Sequence, residues 1–145
     1  MRTFIDRLEG RTLFSSAHYV VDPTFVDNGT TLTASGSIAG LGNEDVTVTL
    51  TATGTATILG VNPAGKVAPG QSQSVTVLGS QVITDPKNGR VDFSVTTIAP
   101  TAPTAAEAGL PNAKWTAVVT DVQFSTATIT VQQGGETVLT STSAV

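Results

Sequence analysis

The sequence predicts an all-β domain, folded as a sandwich or a barrel of about eight strands. Threonine accounts for 26 of the 145 residues, and this β-branched residue is favoured in strands and mildly unfavourable in helices. Short segments in which apolar and polar residues alternate are separated by turn-forming sequences at fairly even intervals. This spacing is typical of antiparallel sandwiches and barrels.

The first three strands are predicted at residues 17–21, 30–39 and 46–58. The first two flank Asp27-Asn28-Gly29, which has the composition of a turn. In the third, the apolar residues lie at even positions and the threonines at odd positions. Because side chains alternate along a strand, the apolar residues are expected to face a core and the threonines to face away. Because 13 residues exceed the usual strand length, Gly54 is expected to mark a bend or a bulge.

Two further strands are predicted at residues 73–83 and 90–98, where apolar and polar residues again alternate. Residues 62–71 form the loop that precedes the first of them. The Pro- and Ala-rich segment 99–113 is a long connection, with room for one helical turn near Glu107. These segments have the turn chemistry expected between strands.

The last part of the chain predicts a long strand followed by a hairpin. Trp115 is expected to anchor the core or its rim. In the strand that follows, Phe124 lies at an even position, and the apolar residues from Ala127 onward lie at odd positions. A bulge near Ser125 would let both halves of the strand face the same core. The sequence 133–136, Gln-Gly-Gly-Glu, is a two-residue hairpin signal. It predicts that Val131 lies opposite Val138.

Every second residue from Thr47 to Thr57 is threonine. A regular threonine array is suited to binding ice or a polysaccharide, but such a surface needs several aligned rows, and the sequence indicates one main row. The favoured interpretation is an uncharged outer face of a strand, with Val48 and Leu50 beneath it.

Charge is scarce in the middle of the chain. Between Asp45 and Arg90 the charged residues are Lys66, Asp85 and Lys87. Edge strands normally carry lysine, proline or inward charge, because their unpaired backbone groups otherwise recruit other chains. The sequence therefore predicts self-association, through strand edges or through an N-terminal extension at residues 1–16 that precedes the domain at 17–145. The predicted interface residues are Phe4, Ile5, Leu8, Leu13, Phe14, Thr47, Thr49, Thr51, Val138 and Leu139.

Composition argues against several classes of function. The net charge of −4 and the isoelectric point near 4.6 disfavour nucleic-acid binding, which needs clustered Lys and Arg. No apolar run reaches the roughly 20 residues of a membrane span, and the N-terminus lacks the apolar core of a secretory signal. The absence of cysteine removes disulfides, thiolate chemistry and the common zinc motifs.

Motifs for catalysis or metal binding are weak. His18 is the single histidine and no serine lies in a G-x-S-x-G turn, so we expect no enzymatic activity and no cofactor. Asp22, Asp27 and Asn28 are the candidate ligands for a calcium ion in an end loop, although their spacing is not that of an EF-hand. Solvated turn residues are the favoured interpretation of all three.

Three segments carry a resemblance to a group of small exported bacterial proteins with an immunoglobulin-like sandwich. They are GLGNEDVTVTLTATGTATILGVNPAGKVAPGQSQSVTVLGSQVI, KNGRVDFSVTT and LPNAKWTAVVTDVQFSTATITV. The resemblance implies an immunoglobulin-like antiparallel sandwich of about seven to nine strands without an assigned enzymatic activity. In that group cysteines stand where this chain has Gly60 and Leu110, so the resemblance implies that a disulfide has been lost here.

The segment LEGRTLFSSA at residues 8–17 resembles the LExRxLxSA segment near the start of many exported bacterial proteins. It implies an extracellular or cell-surface location. We therefore expect an exported, non-enzymatic structural or adhesive subunit that self-associates, with filaments as one form and a cell-surface or matrix component as a further partner. The alternative is a monomeric extracellular module that binds a sugar, calcium or a protein through its end loops.

Overall fold

The computed structural model describes residues 16–84 and 86–145. Five of the predicted interface residues, Phe4, Ile5, Leu8, Leu13 and Phe14, lie outside this range. The described part contains eight strands, and their bounds are β1 His18–Asp27, β2 Leu32–Ala39, β3 Val46–Val61, β4 Val67–Pro69, β5 Gln73–Ile83, β6 Val91–Thr96, β7 Thr116–Gln133 and β8 Glu136–Ala144.

The strands form two antiparallel sheets. The three-stranded sheet has the order β1-β2-β6. In the five-stranded sheet, β3 pairs with β7 along one edge and with β4 and β5 along the other, and β8 pairs with the far edge of β7. The sheet of β1, β2 and β6 thus packs against the sheet that contains β3, β7 and β8, as in immunoglobulin-like sandwiches. The predicted fold class is confirmed.

The core lies between the two sheets and follows the alternation read from the sequence. On β3, Val46, Val48, Leu50 and Ala52 are fully buried, while the threonines between them point to the other face. The facing sheet contributes Leu32, Ala34, Ile38, Val91, Phe93 and Val95 to the same cluster. Each buried leucine, isoleucine or valine stabilises the fold by about 1.5–3 kcal/mol relative to exposure.

Two bulges on β7 keep its apolar residues in the core. Thr53 pairs with Thr126 and Gly54 with Phe124, so Ser125 is an extra residue, as the parity change predicted. A side chain at Gly54 would overlap the Gln123 carbonyl, which explains why glycine stands there. A second register shift leaves Thr120 unpaired, and the sequence analysis did not predict it.

Three of the local predictions, two of segment bounds and one of strand register, are wrong. β1 continues past residue 21 to Asp27, because Pro23 lies in an edge strand whose register shifts twice around it. The loop 62–71 contains the short strand β4, which pairs with the end of β3. Val131 lies opposite Leu139 rather than Val138, because a further register shift follows Val131.

The connection 99–113 contains the predicted helical turn. The backbone N–H of Thr104 donates to Glu107 Oε1 at 2.8 Å, and the Glu107 N–H donates to Thr104 Oγ1 at 3.1 Å. This reciprocal pair is a capping box, and its hydrogen bonds to the carboxylate hold the pKa of Glu107 below its ordinary value. Ala108 and Leu110 then enter the core, so the connection closes one side of the sandwich.

Candidate interaction surfaces

Most of the outer face of the five-stranded sheet is a grid of small uncharged side chains, which we call the threonine face. It follows from strand pairing, because residues directly opposite each other project to the same side of a sheet. Thr51 pairs with Thr128, which pairs with Thr142, and the next row joins Thr49, Thr130 and Thr140. The threonine face consists of Thr76, Leu78, Ser80 and Val82 on β5, Thr47, Thr49, Thr51 and Thr53 on β3, Thr126, Thr128, Thr130 and Gln132 on β7, and Thr137, Val138, Thr140, Thr142 and Ala144 on β8. Beyond Thr53 the same side of the sheet continues through Thr55, opposite Gln123, to Thr57, opposite the charged residue Asp121.

The expectation of a single main row of threonines is therefore wrong. The additional rows come from β7 and β8, which are distant from β3 in sequence. In the sheet, β7 pairs with β3, and β8 pairs with the other edge of β7. Neighbouring hydroxyls also bond to one another: Thr53 Oγ1 lies 2.6 Å from Thr126 Oγ1, and Thr128 Oγ1 lies 2.9 Å from Thr142 Oγ1. These contacts fix the side-chain rotamers across strands.

The threonine face carries no charged residue. By contrast, the outer face of the three-stranded sheet includes His18 and Asp92, and the Asp92 carboxylate accepts a hydrogen bond from Ser37. The threonine face also includes apolar side chains toward its margins, since Leu78 and Val82 on β5 are 52% and 61% exposed. It is thus a neutral surface on which hydroxyl and methyl groups are mixed.

A second candidate surface is the free edge of β8. The Val145 N–H donates to the carbonyl of Ser125 at 3.0 Å, and residues of an antiparallel strand bond alternately to either side. The backbone groups of Thr140 and Thr142 therefore point away from β7. Within the described residues these outward N–H and C=O groups have no backbone partner.

The edges of β1, β5 and β6 are interrupted or covered in part, whereas the outward backbone groups of β8 have no backbone partner among the described residues. β1 is interrupted by Pro23 and by two register shifts. On β5, the carbonyl of Leu78 accepts the N–H of Ile98, and the Gln81 side chain accepts the N–H of Ser94 on β6. β8 has a single charged residue, Glu136 at its start, and no proline. An edge of this kind is a template for pairing with another chain.

The structure distributes the remaining predicted interface residues over both surfaces. Thr47, Thr49 and Thr51 lie on a central strand with both edges paired, so their side chains but not their backbone groups are accessible. Val138 is exposed on the threonine face, whereas Leu139 is half-buried against the core. The role of these residues in self-association stays a prediction.

Of the three candidate calcium ligands, Asp22 is exposed within β1, and Asp27 and Asn28 serve the turn between β1 and β2. Asp27 Oδ1 accepts the N–H of Gly29 at 2.8 Å, and Asn28 Nδ2 donates to the hydroxyls of Thr31 and Thr33. Within the described residues, no three His, Cys, Asp or Glu side chains come together as a metal site would require. His18 is exposed, and its Nδ1 lies 2.7 Å from the carbonyl oxygen of Ser16, so the ring donates to the backbone.

The connection 99–113 forms a cavity of about 390 Å³ beside the half-buried Trp115. Apolar groups from Leu110 and Pro111 line it together with Asn112. The carbonyl of Asn112 already accepts the N–H of Trp115, and its Oδ1 accepts the N–H of Lys114. The cavity therefore offers mainly an apolar wall with one aromatic ring.

A single side-chain hydrogen bond links β1 to β8 across the sandwich. Tyr19 Oη lies 2.7 Å from Ser141 Oγ. Burial raises the pKa of Tyr19 above its ordinary value of 10.0, an effect that the bond to Ser141 partly offsets and that Asp22 reinforces. The folded chain therefore holds the phenol proton more tightly than the unfolded chain does.

Replacement of Tyr19 by phenylalanine is expected to lower the free energy of unfolding at pH 7 by about 0.5–1.5 kcal/mol, because the bond to Ser141 is lost. A raised folded-state pKa contributes stability that is present below the unfolded value near 10.0 and is lost as the pH rises through the folded pKa. Urea unfolding between pH 8 and 11 should therefore show a steeper loss for the unsubstituted chain than for Tyr19→Phe. Identical pH profiles would contradict the assignment.

Comparisons with protein-family models, with curated proteins and with solved structures each found no match to this chain. The fold itself is an all-β antiparallel sandwich, with a threonine-rich outer face and, among the described residues, an open edge at β8. Among the described residues, no helix has the length and hydrophobicity needed to cross a membrane.

Proposed function

We propose that this chain is an exported, non-enzymatic structural or adhesive subunit that self-associates by pairing β8 with β8 of a second copy. The observation that carries the proposal is the contrast between edges. β1 is interrupted by proline and bulges, and the β5 and β6 edges accept or donate hydrogen bonds at Leu78, Gln81 and Ser94, whereas the outward backbone groups of β8 have no backbone partner among the described residues.

Antiparallel pairing of two β8 edges is self-complementary, as a two-fold interface requires. Thr140 and Thr142 would then exchange backbone hydrogen bonds with the partner, in the manner of strand addition. The two five-stranded sheets would join into one, and their threonine faces would become continuous. Such pairing closes after two copies, so growth into filaments would use a second contact, for which the N-terminal extension is the candidate.

The test replaces the outward backbone donor of β8 without touching the β7–β8 ladder. Thr140→Pro removes an N–H that points away from β7, so the fold is retained while strand addition is blocked. Thr140→Val, which keeps the N–H, is the matched control. Sedimentation velocity should show a concentration-dependent dimer or larger species for the unsubstituted chain and Thr140→Val, and a monomer for Thr140→Pro.

Circular dichroism and thermal unfolding establish that both variants are folded before their mass is compared. Thr140→Lys provides a second test, since a charge on an edge strand opposes pairing while leaving the backbone intact. A monomer for the unsubstituted chain at all concentrations would contradict self-association. An oligomer that survives both Thr140→Pro and Thr140→Lys would place the contact elsewhere than on β8.

The second candidate function is a monomeric extracellular module that binds a ligand through its end loops. The cavity beside Trp115 favours it, because binding sites are concave and mainly apolar with a few polar groups. A neutral sugar or a peptide that binds there would raise the unfolding temperature in a saturable way. Trp115 fluorescence titrated with oligosaccharides and peptides tests this alternative directly.

A further inference from the structure

We propose that the threonine face binds ice. This inference concerns the broad outer face of the five-stranded sheet, not the β8 edge, and a single copy of the chain is sufficient for it. The occupant is a plane of an ice crystal, which presents ordered water molecules and no charge. Four strands contribute to the face, and the rows of hydroxyls run across three of them in register.

The first argument is the repeat of the grid. Neighbouring strands lie about 4.8 Å apart, and alternate residues along a strand lie about 6.7 Å apart. Thr49, Thr51 and Thr53 on β3 pair with Thr130, Thr128 and Thr126 on β7 without a register shift. The hydroxyls therefore repeat in two dimensions at distances comparable with those between water oxygens in the faces of ice. A single row has a repeat in one direction only.

The second argument is the chemistry of threonine. Its hydroxyl both donates and accepts hydrogen bonds, as water does, and its methyl group orders the water beside it. The β-branched side chain has few rotamers, and the bonds from Thr53 to Thr126 and from Thr128 to Thr142 restrict them further. The grid is therefore largely ordered before it meets a ligand, which lowers the entropic cost of binding.

The third argument is charge complementarity. A charged group holds its own hydration shell and is costly to desolvate, so a charge on the face would oppose an ordered lattice of neutral water. The rows from Thr47 to Thr53 have none, and Asp121, on the same side of the sheet, lies beyond them opposite Thr57. Leu78, Val82 and Val138 add exposed apolar groups around the hydroxyls. The neutral character is thus confined to one side of the sandwich.

A neutral polysaccharide is the competing ligand. Proteins hold sugar rings largely by stacking aromatic side chains against them, and the threonine face has no aromatic residue. A second copy stacked on the face is the other competitor. Both are treated as outcomes of the test that would overturn the proposal.

The test measures thermal hysteresis and ice-crystal shape with the full chain. Thr51→Lys introduces a charge at the centre of the face, and Thr33→Lys introduces the same charge on the outer face of the three-stranded sheet. The two sites are matched, because Thr33 is also a partly exposed strand residue with a threonine opposite it, Thr96, at 2.7 Å between hydroxyls. We expect hysteresis and faceted crystals for the unsubstituted chain and Thr33→Lys, and a loss of at least tenfold for Thr51→Lys.

Thr51→Ser, which keeps the hydroxyl and removes the methyl group, provides a milder variant in case the lysine disturbs folding, and it should reduce hysteresis severalfold. Round ice crystals and no hysteresis at millimolar protein would overturn the proposal. So would equal activity of Thr51→Lys and Thr33→Lys, retention on cellulose or chitin without ice activity, or a change of oligomer mass in Thr51→Lys. Thr51→Lys should keep the oligomer mass of the unsubstituted chain while it loses ice activity, which separates this inference from the proposed self-association.

Discussion

Replacement of Leu50 by alanine is expected to lower the free energy of unfolding by about 2–5 kcal/mol. Leu50 is fully buried at the middle of the central strand β3, with Gly79 of β5 opposite on one side and Ile129 of β7 on the other. Truncation removes a large apolar contact and leaves a cavity that two paired neighbours prevent from collapsing. Urea unfolding followed by circular dichroism gives the change directly.

Leu78→Ala is the matched control for Leu50→Ala. Both leucines belong to the five-stranded sheet, but Leu78 lies on β5 with its side chain 52% exposed on the threonine face. Its truncation should change the free energy of unfolding by less than about 0.5 kcal/mol, as is usual for surface substitutions. Equal losses at the two positions would contradict the assignment of inner and outer faces.

Paired cysteines at positions 60 and 110 are expected to form a disulfide and to stabilise the fold by about 2–4 kcal/mol. A Cβ atom on Gly60 would lie 3.2 Å from Leu110 Cγ, the position that a cysteine sulfur would take. The distance between the two Cβ atoms exceeds this 3.2 Å by at most the length of one carbon–carbon bond. That separation suits disulfide geometry. The bridge would close a loop of about 50 residues and restrict the unfolded chain.

The two substitutions have to be made together. A Cβ on Gly60 alone would overlap the Leu110 side chain, so Gly60→Cys by itself should destabilise the fold, and Leu110→Cys by itself should leave a small cavity. Mass spectrometry detects the bridge, and urea unfolding with and without a reducing agent gives its contribution. Two free thiols after oxidation would contradict the predicted contact between these positions.

Features that depend on neighbouring residues could be predicted from the sequence. The alternation of β3 identified which of its residues enter the core, because side chains of a strand alternate between its faces. The parity change after Phe124 located the bulge at Ser125, since no other local irregularity returns Ala127 and Ile129 to the core. The Gly134-Gly135 hairpin was equally local, and both glycines have positive φ.

Features that depend on register between distant strands could not be predicted. The row from Thr51 through Thr128 to Thr142 exists only once β3 has paired with β7, and the sequence does not specify that pairing. The sequence predicts interface residues on both β3 and β8, but which of these strands has a free edge follows from the strand order of the sheet, which the sequence does not specify. The first strand continues past its predicted end at residue 21, because an edge strand has a side on which the missing N–H of Pro23 costs nothing.

The pairing of β3 with β7 also bears on the speed of folding. The paired residues that are least separated in sequence are Val61 and Thr116, at one end of this ladder. The most separated are Val46 and Gln133, at the other end. Every contact in the ladder therefore closes a long loop, whose entropy is lost before the contact is gained. Chains dominated by such distant pairings fold over milliseconds to seconds rather than microseconds. During that interval the uncharged strands are exposed, so the scarcity of charge on which the proposed self-association rests should also make folding sensitive to the concentration of other copies.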